Sequence, residues 1–315
     1  MKLDDVSNAT PDWRHVRSSL AFPIEPIPGS GLVNAIVWRQ LFQSIDQFAK
    51  GNSLIIAIGK PTELSLQLIS RFKNAYTFYD AMDDFPAFYS STLSRAAMEK
   101  RESKLVSNVN AIWVSSTKLK KRWEDANTEL CLVHNGVDGA VLPRKTPINK
   151  NNKQKVLGYV GTIGHWFDWE WVLQIAKLRP KDIVRLVGPV FVKPPVSLPS
   201  NVEIEPACEH SEAIAAMQQF DVGLIPFQNN ELTESVDPIK YYEYRSIGLP
   251  VVSTSFGEMA FRSDTDGVFV CTVKGALSQL LNDALKFTVS EASANRFKLE
   301  NTWDVRFDST GLIRV

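Results

Sequence analysis

The chain has 315 residues, 44% of them hydrophobic and 22% charged, which is the composition of a folded protein and not of a disordered one. Lysine and arginine together number 35, as do aspartate and glutamate, and this balance argues against a dedicated nucleic-acid binder. The three cysteines form no CxxC pair, so we expect neither a disulfide framework nor a zinc site. The acidic start is unlike a signal peptide and no apolar run has the length of a membrane span, so we expect a cytoplasmic protein.

Charge is unevenly distributed along the chain. Residues 1–150 hold 19 basic and 15 acidic side chains, whereas the remainder holds 16 and 20. Most of the basic excess lies in segments 95–104 and 118–122. A solvated helix face explains such segments, and the alternative is a weakly basic face that meets an anionic membrane or a phosphate-bearing acceptor.

Short apolar runs alternate with helical patterns in the first part of the chain. We predict strands at 53–59, 75–79, 111–114 and 130–134, and helices at 63–72, 93–106 and 116–123. Asp80, Asp83 and Asp84 follow the second of these strands, in the expected cleft. Their carboxylates could orient an acceptor, accept a proton, cap the next segment or simply be solvated. Asp80 and Asp83 are the candidates for catalysis.

A polar segment with two prolines, residues 143–154, interrupts this pattern and is predicted to be a linker. The alternation then restarts, with strands at 155–160, 183–187, 202–204, 222–225, 250–253 and 268–271, and helices at 168–178, 211–219, from 238, and at 275–287. Apolar strands alternating with helices are typical of parallel sheets covered on both faces. We therefore predict two Rossmann-like α/β domains facing a cleft, over 1–142 and 155–315, that bind ligands beyond the carboxyl ends of their strands.

Gly161 and Gly164 lie in a loop between the first strand of the second domain and the helix that follows. Such a loop can bring backbone N–H groups close to a phosphate, and a tight strand-to-helix turn explains the glycines equally well. The spacing is not GxGxxG, so the dinucleotide fingerprint is absent. Aromatic residues after the loop could stack on a sugar or a base; we favour packing for Trp169 or Trp171 and leave Trp166 open.

Lys240 and Glu243 share one face of the helix predicted from residue 238, about 4.5 Å apart along its axis. Asp237 suits the N-cap of this helix, Pro238 its first position and Gly248 its end. The lysine could pair with a diphosphate while the glutamate accepts hydrogen bonds from ribose hydroxyls. An ordinary i,i+3 salt bridge on a solvated helix is the alternative.

The segment 221–254 closely resembles the nucleotide-sugar-binding core of GT-B glycosyltransferases of the family 4-like group. Its form Pro-x-Lys-x-Tyr-Glu-Tyr, followed by Gly-x-Pro-Val-Val, resembles the branch of teichuronic acid biosynthesis glycosyltransferase-like proteins. The other segments that resemble this branch, in the expected order along the chain, are 78–85, 134–138, 157–169 and 186–189. The resemblance covers roughly residues 50–305.

The resemblance implies a retaining, metal-independent hexosyltransferase that needs no cofactor. Its donor would be a UDP- or GDP-sugar on the C-terminal domain, and its acceptor a glycan or glycolipid on the N-terminal domain, which could also touch the inner face of a membrane. Glu243 would hold the ribose, and Lys240 would compensate the leaving diphosphate. The other residues that match the donor site are Gly161, Thr162, Gly164, His165, Gly188, Pro189 and Tyr241.

Three features depart from the family pattern. The acid expected eight residues before Glu243 is replaced by Ser235, with Glu231 and Glu234 nearby. The arginine and lysine expected after the glycine loop are absent from residues 162–166, and Arg185 is a lesser candidate for their role.

The third departure is a short N-terminal domain, since no convincing strand with a glycine loop precedes residue 54. A non-catalytic nucleotide-sugar-binding or partner protein with the same fold is therefore the alternative function. Near the end of the chain, Trp303 is expected to anchor a terminal helix that crosses back toward the first domain, as is usual in this fold.

Overall fold

The computed structural model of the chain describes residues 2–4, 15–17, 38–51, 53–140, 142, 154–262 and 265–311. The chain divides into two compact units, one formed by Met1–Val114 with Leu119–Cys131 and the other by Ser115–Lys118 with Leu132–Val315. Apart from Gln154, the predicted linker lies outside the described residues. The predicted domain boundaries therefore stay predictions.

The first unit contains a four-stranded parallel sheet in the order β3-β4-β5-β6. Its strands are β3 (Ile55–Ile58), β4 (Tyr76–Ala81), β5 (Ala111–Val114) and β6 (Glu129–Leu132). Its helices are α1 (Arg39–Ala49), α2 (Glu63–Arg71), α3 (Thr92–Val106) and α4 (Thr117–Trp123). Within the described residues no strand of this sheet precedes β3; the short strands β1 (Lys2–Asp4) and β2 (His15–Arg17) pair only with each other.

The second unit contains a six-stranded parallel sheet in the order β12-β11-β10-β7-β8-β9. Its strands are β7 (Val156–Val160), β8 (Ile183–Val187), β9 (Val202–Glu205), β10 (Val222–Ile225), β11 (Val251–Thr254) and β12 (Val268–Cys271). Its helices are α5 (Trp169–Leu178), α6 (His210–Gln218), α7 (Ile239–Ser246), α8 (Leu277–Lys286), α9 (Glu291–Glu300) and α10 (Trp303–Asp308). The end of the chain thus forms two helices, one of which begins at Trp303.

Two apolar cores cover the two faces of the second sheet. Alternate side chains of a strand point to opposite faces, and Val160 accordingly joins the core that contains α6 and α7, whereas Tyr159 joins the core that contains α5 and α8. Apolar residues fill both faces because helices cover both. The prediction of two Rossmann-like parallel-sheet domains is confirmed by these two sheets.

Strand β4 is longer than the sequence predicts. The predicted strand ends at Tyr79, but parallel pairing continues from Asp80 to Trp113 and from Ala81 to Val114. Asp80 therefore lies inside the strand near its carboxyl end, rather than directly after it. The apolar residue that follows, Ala81, is fully buried and extends the core by one more position.

Candidate functional site

The order in which strands are added to the second sheet reverses between β7 and β10. The chain adds β8 and β9 on one side of β7 and then crosses to place β10 on the other side. Such a switch point opens a crevice at the carboxyl edge, where open α/β sheets bind ligands. Helices α6 and α7 each connect parallel strands and so begin at this edge, which brings their first residues to the crevice.

The loops after β7 and β8 pack directly against each other. The backbone N–H of Gly161 donates to the carbonyl of Val187 (2.9 Å), and the N–H of Ile163 donates to that of Pro189 (2.9 Å). Gly188 has φ +142°, and a Cβ atom there would lie 2.2 Å from the carbonyl oxygen of Gly161, so only glycine fits. The close approach of the two loops therefore explains why glycine stands at position 188.

Two N–H groups of the glycine loop are unpaired in the part of the chain that the structure describes, at the half-buried Thr162 and the buried Gly164. Among the described residues, the amides of Thr162 and Gly164 donate no hydrogen bond, because they alternate with the paired amides of Gly161 and Ile163. Backbone N–H groups at the carboxyl edge of a parallel sheet can bind anions. The predicted phosphate contact thus retains two candidate donors in this loop.

His165 and the aromatic residues follow the loop. His165 is exposed and lines a cavity of about 590 Å³ together with Glu170, Lys193 and Gln228. Trp169 and Trp171 are buried, and the Trp169 indole donates to the carbonyl of Val192 (2.9 Å). The expectation that Trp169 or Trp171 packs the helix onto the sheet is confirmed for both.

Trp166, for which the sequence left stacking on a ligand or packing open, packs against its neighbours. Its half-buried ring meets Phe227 edge-on and also lies over Gly164, where an added Cβ would come within 2.7 Å of the indole. Trp166 thus helps to hold the glycine loop in place.

Helix α7 ends as predicted but begins differently. Gly248 has φ +81°, and it donates to Arg245 while Leu249 donates to Tyr244, which is a Schellman motif. Pro238, expected at the first helical position, is the N-cap residue, and no side chain caps the helix. The predicted capping role of Asp237 is wrong, because stronger partners hold its carboxylate.

Lys240, Glu243 and His210 converge at the start of α6 and α7. The ammonium group of Lys240 donates to Oε2 of Glu243, and His210 Nε2 lies 3.5 Å from Oε1 of the same carboxylate. The i,i+3 salt bridge that the sequence offered as an alternative is present, but Glu243 is only 7% exposed, so the pair does not lie on a solvated face. A buried carboxylate with a cation at the carboxyl edge suits a ligand that carries both phosphates and hydroxyls.

Two residues that the sequence suggested for the site, Tyr241 and Arg185, make structural contacts instead. The ring of Tyr241 is buried in the core, with the Arg262 guanidinium 3.8 Å from its centroid and Phe297 packed edge-on. Arg185 forms ion pairs with Glu203 and Glu205 of the neighbouring strand. Arg185 is therefore already engaged and does not replace the arginine missing from the glycine loop.

No acidic residue stands eight residues before Glu243. Ser235 is 1% exposed, and its hydroxyl has no hydrogen-bond partner within the described residues. The neighbouring Glu234 forms an ion pair with Lys118 at 2.9 Å. Neither Ser235 nor Glu234 therefore takes the place of the family acid.

Asp237 is the centre of a buried polar network that sequence reasoning missed. Its carboxylate accepts hydrogen bonds from Arg262 (2.6 Å), from the hydroxyl of Tyr242 (2.8 Å) and from the backbone N–H of Asn135 (2.9 Å). His134 Nδ1 lies 3.5 Å away. Among these partners only Tyr242 is near in sequence, five residues away, whereas Asn135 is 102 residues away, so no local spacing predicts the network.

The charges of this network shift two pKa values. Burial raises the pKa of Asp237, but His134 and Arg262 lower it more, so that it lies below its usual value. Burial lowers the pKa of His134, but Asp237 and then Glu258 raise it more, so that it lies above its usual value. Both shifts favour an ionised aspartate beside a protonated histidine.

The acids at the end of β4 have different surroundings from one another. Burial raises the pKa of Asp80 to about 6, and burial together with the nearby Asp84 raises that of Asp83. Asp84 instead pairs with Arg122, which also donates to the buried Glu102 at 2.7 Å. Asp80 and Asp83 thus keep the properties of candidate proton acceptors, whereas Asp84 is part of an ion network.

We expect the substitution Asp80→Asn to stabilise the protein at pH 8 and to have little effect at pH 4. The folded state raises the pKa of Asp80 from about 4 to about 6, so the folded form binds more protons than the unfolded form in that interval and loses stability as the pH rises. Thermal denaturation of both proteins at pH 4, 6 and 8 measures this. An equal Tm difference at all three pH values would contradict the assignment.

Two further observations concern ions and membranes. Within the ranges that the structure describes, no group of three or more histidine, cysteine, aspartate or glutamate side chains is placed to hold a metal ion. None of the described helices is both long and apolar enough to cross a membrane.

Solved structures share the fold of this chain over most of its length. HepE from Anabaena, solved in complex with UDP, has a TM-score of 0.63 at 15% identity, over 86% of this chain and 81% of that one. A UDP-forming trehalose-phosphate synthase from Burkholderia xenovorans has a TM-score of 0.61 at 13% identity, over 89% of this chain and 77% of that one. TarM has a TM-score of 0.60 at 14% identity, over 81% and 53%. Together with the two parallel sheets, these similarities define a protein of the GT-B fold.

The sequence is also similar to that of a particular protein within this class. TuaH of Bacillus subtilis (strain 168), assigned as a teichuronic acid biosynthesis glycosyltransferase, is 26% identical over 180 residues. The match covers 52% of this chain and 45% of that protein, so it spans about half the length of the curated relative. No protein-family model matches the chain. The resemblance to GT-B glycosyltransferases and to their teichuronic acid branch, predicted from the motifs, is confirmed.

Proposed function

We propose that the protein is a glycosyltransferase that moves a sugar from a UDP- or GDP-sugar to a glycan or glycolipid acceptor. The observation that carries this proposal is the Lys240–Glu243 pair, largely buried at the start of α7 and at the carboxyl edge of the second sheet. The likeness to HepE, which was solved with UDP, supports a nucleotide as the ligand. The likeness to TuaH supports a polysaccharide as the product.

The roles of the site residues follow from the charge that the reaction creates. As the bond between the sugar carbon and the diphosphate oxygen breaks, negative charge accumulates on the leaving diphosphate. Lys240, the amino end of α7 and the free amides of Thr162 and Gly164 are the groups that stabilise it. Because these groups supply positive charge, we propose that the donor needs no metal ion or cofactor. Glu243 accepts hydrogen bonds from the ribose hydroxyls.

The acceptor hydroxyl forms the new bond to the sugar carbon and loses its proton. Asp80 is the proposed proton acceptor, because its pKa of about 6 leaves it ionised at neutral pH but still basic enough to take a proton. Asp83 is the second candidate. We propose retention of the anomeric configuration and a hexosyl donor on the strength of the family resemblance.

An exposed face of α3 supports an acceptor held at a membrane. Leu93 is 84% exposed, and Phe88, in the turn before the helix, is 50% exposed. Lys100 and Lys104 lie on the same outward face of α3 as Leu93, spaced by about two and three helical turns. Apolar residues beside lysines are the combination that favours an anionic lipid surface, so we propose peripheral membrane contact here.

A thermal-shift experiment without divalent metal tests the donor. We expect UDP or GDP at a hundred times its Kd to stabilise the folded state by about 2.7 kcal/mol, which corresponds to roughly 5–10 °C in the Tm of a domain of this size. Inorganic pyrophosphate at the same concentration is the control for unspecific anion binding. If neither nucleotide shifts the Tm at millimolar concentration, the proposal fails.

A second measurement separates an enzyme from a non-catalytic binding protein. The nucleotide that stabilises the protein is supplied as its sugar conjugates, and release of free nucleoside diphosphate is measured with and without glycan acceptors. A glycosyltransferase releases it slowly to water and faster with its acceptor. A protein that binds the nucleotide but never releases it from the sugar has the alternative function.

A further inference from the structure

Glu243 is held by two nitrogen groups from two different helices. Lys240, on the same helix, donates to Oε2, and His210, the first residue of α6, places Nε2 3.5 Å from Oε1. Glu243 is 7% exposed, whereas the side chain of His210 is 59% exposed. Each oxygen of one buried carboxylate therefore faces its own nitrogen partner.

This arrangement matters because the proposed function gives Lys240 two partners. In the structure its ammonium group pairs with Glu243, and during the reaction it must face the diphosphate. When the lysine turns toward the phosphates, the buried carboxylate of Glu243 loses part of its compensating charge. An unpaired buried carboxylate is strongly unfavourable, so donor binding would be weakened unless a second cation remained.

His210 is the second group that can supply this charge. Among the described residues, it is the one basic side chain besides Lys240 within 4 Å of Glu243. The ionisable groups around it are Glu209 and Glu212 of the α6 capping box on its own helix, and Lys240 and Glu243 on α7. Histidine is the side chain that changes charge near neutral pH. Of the two contacts of Glu243, the one with His210 is therefore the one that responds to pH.

We propose that His210 is a positioning residue for donor binding, which holds Oε1 of Glu243 toward the ribose while Lys240 moves to the diphosphate. The inference rests on the proposed function and adds a pH dependence to it. A protonated His210 keeps Glu243 compensated, and a neutral one does not. Donor affinity therefore falls as the pH rises and the histidine loses its charge.

The test measures the Kd of UDP-glucose by calorimetry from pH 6.0 to 8.5, or of GDP-mannose if only GDP stabilises the protein. Sugar nucleotides are used because, unlike free UDP, they do not ionise in this range. We expect the Kd of the natural protein to rise about tenfold between these limits. His210→Gln, which keeps an N–H donor but never becomes charged, should bind more weakly at pH 6.0 and show a flat profile.

Lys177→Gln, an exposed change on α5, is the matched control and should reproduce the natural profile. If His210→Gln binds with the natural affinity and the natural pH profile, the inference is overturned while the proposed function stands. If the natural protein binds neither UDP nor GDP, both are overturned.

Discussion

Replacing Lys240 by glutamine is expected to weaken UDP binding about 10- to 100-fold and to leave the binding of uridine unchanged. Glutamine can still donate to Glu243, so the carboxylate keeps a partner, but the charge that faces the diphosphate is lost. Hydrogen bonds to charged groups contribute about 1.5–3 kcal/mol, which corresponds to this range. Calorimetric titration with both ligands measures the effect.

Glu243→Gln gives the complementary pattern. The ribose is present in both ligands, so this substitution should weaken uridine and UDP by similar factors. Lys177→Gln, exposed on α5, should change neither affinity. The assignment of the two roles is wrong if Lys240→Gln reduces uridine binding as much as UDP binding, or if Glu243→Gln affects UDP alone.

Much of the fold could be predicted because the signals that define it are local. Strand β8 (Ile183–Val187) was predicted at its observed bounds, since a run of apolar and β-branched residues between turn signals specifies a buried parallel strand. The end of α7 was also predictable, because Gly248 adopts a positive φ that few other residues tolerate.

The residues that sequence reasoning missed interact over long distances in the chain. The position of Asp237 directly before Pro238 is typical of a helix cap. Its carboxylate instead accepts hydrogen bonds from Arg262 and Asn135, and neither residue lies at a sequence spacing that would predict the contact. His210 lies one residue before a helix predicted to begin at 211, and only the packing of α6 beside α7 brings it to Glu243. Local sequence patterns cannot identify such contacts, because the contacts depend on how distant segments of the chain pack together.

The structure brings together some of the residues that the family resemblance assigned to the site, but not all of them. Lys240 and Glu243 come together as the motif implied, whereas Tyr241, which lies between them in sequence, points its ring into the core. Helical geometry explains the difference, since residues three apart share a face and their neighbour is turned about 100° away.

Removing the Asp237 carboxylate is expected to produce the largest loss of stability. In Asp237→Ala, Arg262 loses its only carboxylate partner among the described residues, and its side chain is just 11% exposed. The hydroxyl of Tyr242 and the backbone N–H of Asn135 lose an acceptor as well. Breaking a buried ion pair in this way costs about 3–5 kcal/mol, which predicts a fall in Tm of roughly 10 °C for a domain of this size.

Two comparisons make this prediction specific. Asp283→Ala removes an exposed aspartate of α8 and should change stability by less than about 0.5 kcal/mol. In the double variant Asp237→Ala with Arg262→Met, the cost should be smaller than the sum of the single changes, because no unpaired guanidinium remains buried.

The pH dependence has a defined sign: the lowered pKa of Asp237 contributes stability above its unfolded pKa, and the raised pKa of His134 contributes stability that is lost as the pH rises through it. The difference in the free energy of unfolding between the natural protein and Asp237→Ala should therefore be greatest in mildly acidic solution. Urea denaturation at pH 4, 6 and 8 measures it. A constant or negligible difference would refute the network as the source of stability.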